Sequence, residues 1–110
     1  MTGPAAPLTV EVVALDDWAE AHHITPDWLI VDVEGFEEAV LAGAAGLIAR
    51  HPGIGIVVEL HPNAWSDAGT TRASMGALLA RLGRRAVSLD GLSDPLSGYN
   101  QAVLEALPLI

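Results

Sequence analysis

Four side chains that can carry protons or bind metal ions stand where two apolar runs of the sequence end. They are Asp32, Glu34, Glu59 and His61. The first two close the run that begins at residue 29, and the other two close the run at residues 54–60. Carboxylates and imidazoles are the usual groups of acid–base and metal chemistry. A functional site is therefore expected at these two places.

The character of the two runs predicts that they bring these side chains together. Apolar runs without polar alternation are typical of strands buried on both faces of a parallel sheet. Open α/β sheets bind ligands at the carboxyl ends of such strands, so the four side chains should line one cleft. Three carboxylates at one sheet edge repel one another unless a ligand, a proton or a metal ion relieves the repulsion. Two structural explanations stay open, because Asp32 or Glu34 can satisfy helix amides and His61 can pack in its loop.

Two helices are predicted to follow these strands. After Gly35, apolar residues recur at helical spacing as far as Ile48, and this helix should end at Arg50, before Pro52. Glu37 and Glu38 fall in its first turn, where the helix dipole favours negative charge. The second predicted helix begins after a cap at Thr70 or Thr71, carries an apolar stripe of Met75, Leu78, Leu79 and Leu82, and ends at Gly83.

The remaining segments complete one α/β domain. Residues 1–7 are expected to be a flexible lead-in, and residues 8–110 a single domain without internal repeats. Residues 8–15 are predicted to form a strand, followed by a short helix with Asp17 and Glu20 as a capping box. Residues 85–89 are predicted to form a core strand, which the segment 101–110 best pairs with as an antiparallel strand. Alternation of strands and helices favours βαβ units on a mostly parallel sheet.

Composition excludes several classes of function. The 110-residue chain has a formal net charge of −9, with five arginines and no lysine. This charge disfavours nucleic acid and anionic membranes as partners. Without lysine the chain cannot hold a P-loop, which excludes an NTPase despite the Asp-x-Glu segment, and a phosphoacceptor receiver domain is disfavoured. No cysteine, signal peptide or membrane-length apolar run occurs, which predicts a cytoplasmic protein.

Four segments of the chain resemble, in order, the C-terminal half of the FkbM-type methyltransferases, which use S-adenosylmethionine. The segments are VVALDDW at 12–18, LIVDVEGFE at 29–37, VLAGA at 40–44 and IVVEL at 56–60. The resemblance implies the C-terminal portion of a Rossmann-like class I methyltransferase fold, a mostly parallel sheet with flanking helices. Two features depart from the family pattern: Ile30 replaces a lysine, and no glycine-rich D/E-x-G-x-x-x-G turn for the cofactor occurs.

The same resemblance implies a reaction, methyl transfer from S-adenosylmethionine to a hydroxyl of a sugar or another small natural product. For this reaction we expect Asp32 nearest the reacting centre and His61 or Glu59 as the base, with Glu34 beside them. A divalent cation held by the acidic strand ends, which would acidify the substrate hydroxyl, is the alternative. Because the glycine-rich turn is missing, the chain alone is expected to bind the cofactor weakly or not at all and to be inactive. A non-catalytic α/β module that self-associates or needs a complementing chain is the competing interpretation.

Overall fold

A computed structural model describes residues 7–91 and 94–108 of the chain. This part of the chain forms one sheet with helices packed against it. The elements in chain order are α1 (Leu15–His22), β1 (Trp28–Val31), α2 (Glu37–Ala42), α3 (Ala45–Arg50), β2 (Gly55–Leu60), a 3-10 segment (Pro62–Ala68), α4 (Arg72–Arg81), β3 (Arg84–Ser88) and β4 (Asn100–Ala106).

The four strands lie in the order β1-β2-β4-β3. β1 and β2 are parallel, with Ile30 opposite Val57, as the two apolar runs predict. β4 is antiparallel to β3, which confirms the pairing expected for the last segment. The same strand also pairs antiparallel with β2, so it separates β3 from the parallel pair. The result is a mixed α/β sheet whose two parallel strands end side by side.

Helices cover one face of this sheet. α2 contacts β2, α4 contacts β3, and α1 packs on α3. The residues of β2 that point to this face, Ile56, Val58 and Leu60, are at most 1% exposed. The alternate residues of β2, on the other face, are half-buried, and Ile30 of β1 is 81% exposed. The hydrophobic core therefore lies between the helices and one face only.

The prediction of a strand at residues 8–15 is wrong. Residues 7–14 have no regular secondary structure, and Leu8 and Val12 are each 90% exposed, because no strand in the described part of the chain pairs with them. The helix that follows begins at Leu15, with Ala14 as its N-cap and no side-chain cap. The predicted Asp17–Glu20 capping box is therefore also wrong. Residues 1–6 of the predicted lead-in lie outside the described residues.

The predicted central helix is divided in two between Ala42 and Ala45. The break exists because a residue distant in sequence caps the second half. The carboxylate of Asp16 accepts hydrogen bonds from the amides of Gly46 (2.9 Å) and Leu47 (2.7 Å), at the start of α3. A Cβ at residue 46 would lie 2.9 Å from that carboxylate, so glycine permits the cap. This tertiary contact stabilises a helix start in the middle of a continuous helical pattern.

The predicted ends of α4 are confirmed. Thr71 is the N-cap, and it exchanges hydrogen bonds with Ser74 in a capping box. The helix ends at Arg81, and Gly83 adopts a positive φ of 67°, which glycine tolerates at a helix end. Of the segment predicted as the last strand, residues 109 and 110 lie outside the described residues.

One arginine is buried at the amino end of β2. The guanidinium of Arg84 donates to the carbonyls of Ile54 (3.1 Å), Leu104 (2.9 Å) and Pro52 (2.9 Å). Burial lowers the pKa of Arg84 from its ordinary value. The side chain thus satisfies backbone carbonyl groups near the strand ends and has a structural role.

Across the described ranges, no helix has the length and apolarity that crossing a bilayer requires.

Candidate functional site

The turn after β1 is shaped by a close contact with the segment after β2. Glu34 and Gly35 both have positive φ angles, of 46° and 108°. A Cβ at residue 35 would lie 2.8 Å from the carbonyl oxygen of Ala64, so only glycine fits against the 3-10 segment. The sequence D-V-E-G therefore turns sharply, and it brings the carboxyl end of β1 against the carboxyl end of β2.

A fully buried carboxylate, Glu37, fastens this contact. Its Oε2 accepts from the amide of Gly35 (2.5 Å), and its Oε1 accepts from the amide of His61 (2.6 Å) and the indole of Trp65 (3.2 Å). Glu37 is 0% exposed, and these donors replace the water that it loses. The residue joins the two strand ends, a role that its position in the first turn of a helix did not indicate. The motif D-V-E-G-x-E at residues 32–37, which ends at Glu37, is the sequence feature that could have indicated this role.

His61 lies between Glu37 and the two strand-end carboxylates. Its Nδ1 is 3.5 Å from Oε1 of Glu37, and its Nε2 is 3.6 Å from Oε1 of Glu59 and 4.0 Å from Oδ1 of Asp32. The side chain is 14% exposed, and Nδ1 is buried without a hydrogen-bond partner. The imidazole thus presents its outer nitrogen to Asp32 and Glu59.

Tyr99, which the sequence analysis did not identify, completes this arrangement. Its hydroxyl donates to Oε1 of Glu59, and its ring centroid is 5.2 Å from that of His61, at an interplanar angle of 55°. The residue directly precedes β4, which begins at Asn100. Its proximity to Glu59 results from the antiparallel pairing of β4 with β2, and no local sequence signal reveals it.

The close carboxylates affect proton binding at the site. Partial desolvation, together with the charge of Glu59 and a hydrogen bond to it, raises the pKa of Asp32, while His61 opposes the shift. The hydrogen bond to Glu59 likewise raises the pKa of Tyr99 above its ordinary value. Glu59 contributes to both shifts, through its charge and through a hydrogen bond to each residue.

The structure brings together three of the four side chains proposed from the sequence. One oxygen each of Asp32 and Glu59 and one nitrogen of His61 lie within 4.8 Å of one another. We call these three residues the strand-end cluster. Glu34 is exposed and lies outside the cluster, because its left-handed backbone belongs to the turn. The charge of Glu34 makes the smallest of the contributions to the raised pKa of Asp32.

This arrangement can accept a proton on imidazole or carboxylate, and it can hold a divalent cation. Asp32 is 57% exposed and Glu59 is 21% exposed, so a ligand can reach both. Tyr99, which bonds to Glu59, forms part of the wall of a cleft of about 500 Å³ that the three cluster residues themselves do not line. The other residues that line it are Leu89, Asp90, Asn100 and Gln101.

Comparison with known proteins identifies the family. No curated protein and no solved structure matches the chain. The family model described as the methyltransferase FkbM domain matches residues 2–86, a stretch that includes β1, β2 and the strand-end cluster. The family expected from the D-V-E-G segment and its neighbours is thereby confirmed. The chain belongs to the FkbM methyltransferase domain family.

Proposed function

We propose that this chain serves, in the cytoplasm, in methyl transfer from S-adenosylmethionine to a hydroxyl of a small molecule such as a sugar. Membership of the FkbM methyltransferase domain family supports a methyltransferase. The observation that carries the finer assignment is the strand-end cluster, where Asp32, Glu59 and His61 meet at the carboxyl ends of two parallel strands. That edge is where open α/β sheets bind their ligands.

The chemistry of this transfer requires a group that handles the hydroxyl proton. The acceptor oxygen forms a bond to the methyl carbon while the carbon–sulfur bond breaks, and its electron pair stays on sulfur. The oxygen loses its proton to the strand-end cluster or through it to water. The cleft beside Tyr99, at about 500 Å³, is large enough for a monosaccharide-sized acceptor. Asp32, the most exposed cluster member, is the residue we place nearest the acceptor.

The fold that we propose is the C-terminal portion of a Rossmann-like class I methyltransferase. The sequence has no glycine-rich D/E-x-G-x-x-x-G turn, so the cofactor site is incomplete within it. Apolar side chains on the uncovered face of the sheet, among them Ile30 and Trp28, support the view that another polypeptide segment completes the domain. We therefore propose that the chain is inactive alone. The same uncovered face favours a second candidate, a non-catalytic module that binds a partner chain.

The test is a chimera in which this chain follows the glycine-rich half of an intact FkbM methyltransferase. Transfer of radiolabelled methyl groups from S-adenosylmethionine is measured on a panel of hydroxylated sugars and polyketides. We expect transfer by the chimera and none by the chain alone. Calorimetry should likewise show weak or no cofactor binding by the chain alone.

Asp32→Asn and His61→Ala in the chimera should each lower transfer at least about tenfold, with Glu34→Gln as the matched control outside the cluster. A folded, cofactor-binding chimera that methylates no acceptor would favour the non-catalytic module. Undiminished transfer in both cluster variants would contradict the assignment of the site.

A further inference from the structure

We propose that Asp32, Glu59 and His61 form a binding site for a divalent transition-metal ion. The proposal stands on the geometry of these three side chains, and it rests on the proposed function only for the role that the ion would have in catalysis. The cluster differs from an ordinary group of surface acids, because it includes an imidazole nitrogen that lies 3.6 Å from the Glu59 carboxylate and 4.0 Å from the Asp32 carboxylate.

The distances suit three ligands on one side of an ion. Metal bonds of about 2.0–2.2 Å at angles near 90–110° place neighbouring ligand atoms about 3.0–3.5 Å apart. Nε2 of His61 lies slightly farther than this from both carboxylates, so a closure of about half an ångström would complete the set. Asp32, which is 57% exposed, can make this movement by side-chain rotation. The side of the ion away from the protein would remain open.

A second observation concerns the other nitrogen of His61. A metal-binding histidine generally donates its second ring N–H to a carboxylate or carbonyl, which aims the free nitrogen at the metal. Nδ1 of His61 is buried, lacks a hydrogen-bond partner and faces the fully buried carboxylate of Glu37 at 3.5 Å. For this N–H to bond with Glu37, Nδ1 must come a few tenths of an ångström closer to Oε1, so the two carboxylates would make the closing movement toward the ion. The buried carboxylate of Glu37 thus lies where the second partner of a metal-binding histidine is expected.

Glu59 is supported in the same way from the opposite side. The hydroxyl of Tyr99 donates to its Oε1, which orients the carboxylate toward His61. Two carboxylates and one imidazole form a mixed oxygen and nitrogen set, which suits Mn²⁺ or Zn²⁺ better than Mg²⁺ or Ca²⁺. In the proposed reaction the ion would bind the acceptor hydroxyl at its open side and lower the pKa of that hydroxyl, so that water can take the proton.

The experiment measures metal binding by the chain itself, with neither cofactor nor acceptor present. Calorimetric titration with Zn²⁺, and electron paramagnetic resonance with Mn²⁺, should each give one site per chain. Asp32→Asn and His61→Ala should weaken binding at least about tenfold, and Tyr99→Phe should weaken it several-fold by freeing Glu59. Glu34→Gln and His51→Ala, which change a carboxylate and an imidazole outside the cluster, should bind like the original chain. Mg²⁺ should bind more weakly than Mn²⁺.

Circular dichroism of each variant excludes unfolding as the cause of lost binding. Should His61→Ala unfold, the exposed position of Asp32 keeps the test decisive through Asp32→Asn. Binding that is absent, or equal in the original chain and both cluster variants, would overturn the metal site. Because no methyl transfer is measured, that result would leave the proposed methyltransferase function standing, with His61 or Glu59 as the base.

Discussion

The two faces of the sheet are made of the same kinds of residue but have opposite surroundings. On the helix side, Ile56 and Leu104 are at most 1% exposed. On the other side an apolar row crosses all four strands in register, and its two outer members, Ile30 and Val87, are 81% and 37% exposed. The row consists of Ile30, Val57, Val103 and Val87. We call this side the open face.

This contrast separates stability from function. The helix side holds the buried core, so it supplies the hydrophobic free energy of folding. The strand-end cluster belongs to the open side, because Glu59 alternates with the buried Val58 and Leu60 and so points the same way as Val57. Among the residues that the structure describes, no helix covers this apolar face, and parallel strands normally leave less apolar surface to water. The open face therefore marks where further structure and ligands are expected to bind.

The largest expected effect comes from truncating matched isoleucines on the two faces. Ile56→Ala should lower the free energy of unfolding by about 3 kcal/mol, because it leaves a cavity at a site that is 0% exposed. Ile30→Ala on the neighbouring strand should change it by no more than about 0.5 kcal/mol. Urea denaturation of both variants provides the measurement. Equal losses would mean that the open face is covered in solution.

A smaller effect is expected at Glu37, which belongs to α2 and also contacts His61. Glu37→Gln should cost about 1–3 kcal/mol, because the amide cannot accept all three hydrogen bonds that the carboxylate accepts. Glu38→Gln is the control, since Glu38 has one long hydrogen bond to Thr70 at 3.3 Å. Thermal unfolding compares the two. A loss no greater than the control's would show that Glu37 does not hold the strand ends together.

The sequence predicts most of the helix side and part of the site. The β1, β2 and β3 strands, the cap at Thr71 and the end at Gly83 follow from local patterns, because short-range sterics and hydrogen bonds determine them. Local patterns could not show that Asp16 caps α3, 30 residues away, or that Tyr99 reaches Glu59, 40 residues away. The prediction of a strand at residues 8–15 is wrong for a related reason. Its apolar residues suit a strand, but the described chain offers no partner for it.

Self-association is the next effect, and it tests whether the open face binds protein. Edge strand β1 has no lysine, proline or bulge to protect it, so we expect the sedimentation coefficient to rise with concentration. Ile30→Lys should weaken the association at least about tenfold, whereas Ala77→Lys, which adds the same charge to an exposed site on α4, should not. A strictly monomeric chain with a concentration-independent melt would contradict the proposal that it needs a complementing partner.

The smallest expected effect concerns Asp32, whose raised pKa makes it a cost to the fold near neutral pH. Because the folded state holds this proton more tightly than the unfolded state, the group favours folding fully only below the ordinary aspartate pKa of about 3.9. That contribution is lost as the pH rises through the raised pKa of the folded state. Asp32→Asn removes the repulsion from Glu59, so its melting temperature should exceed that of the original chain at pH 7.

The difference in melting temperature between Asp32→Asn and the original chain should shrink toward zero near pH 3, where protonated Asp32 is as neutral as the asparagine that replaces it. Thermal melts between pH 3 and pH 7 measure it, with Glu34→Gln as the control that removes a carboxylate outside the strand-end cluster. A melting temperature that falls in Asp32→Asn at pH 7 would mean that the carboxylate stabilises the fold, as a structural residue would. The expected gain is typical of a residue retained for its chemistry at the cost of stability. Such a gain would indicate that the functional residues lie on the open side of the sheet and not in its core.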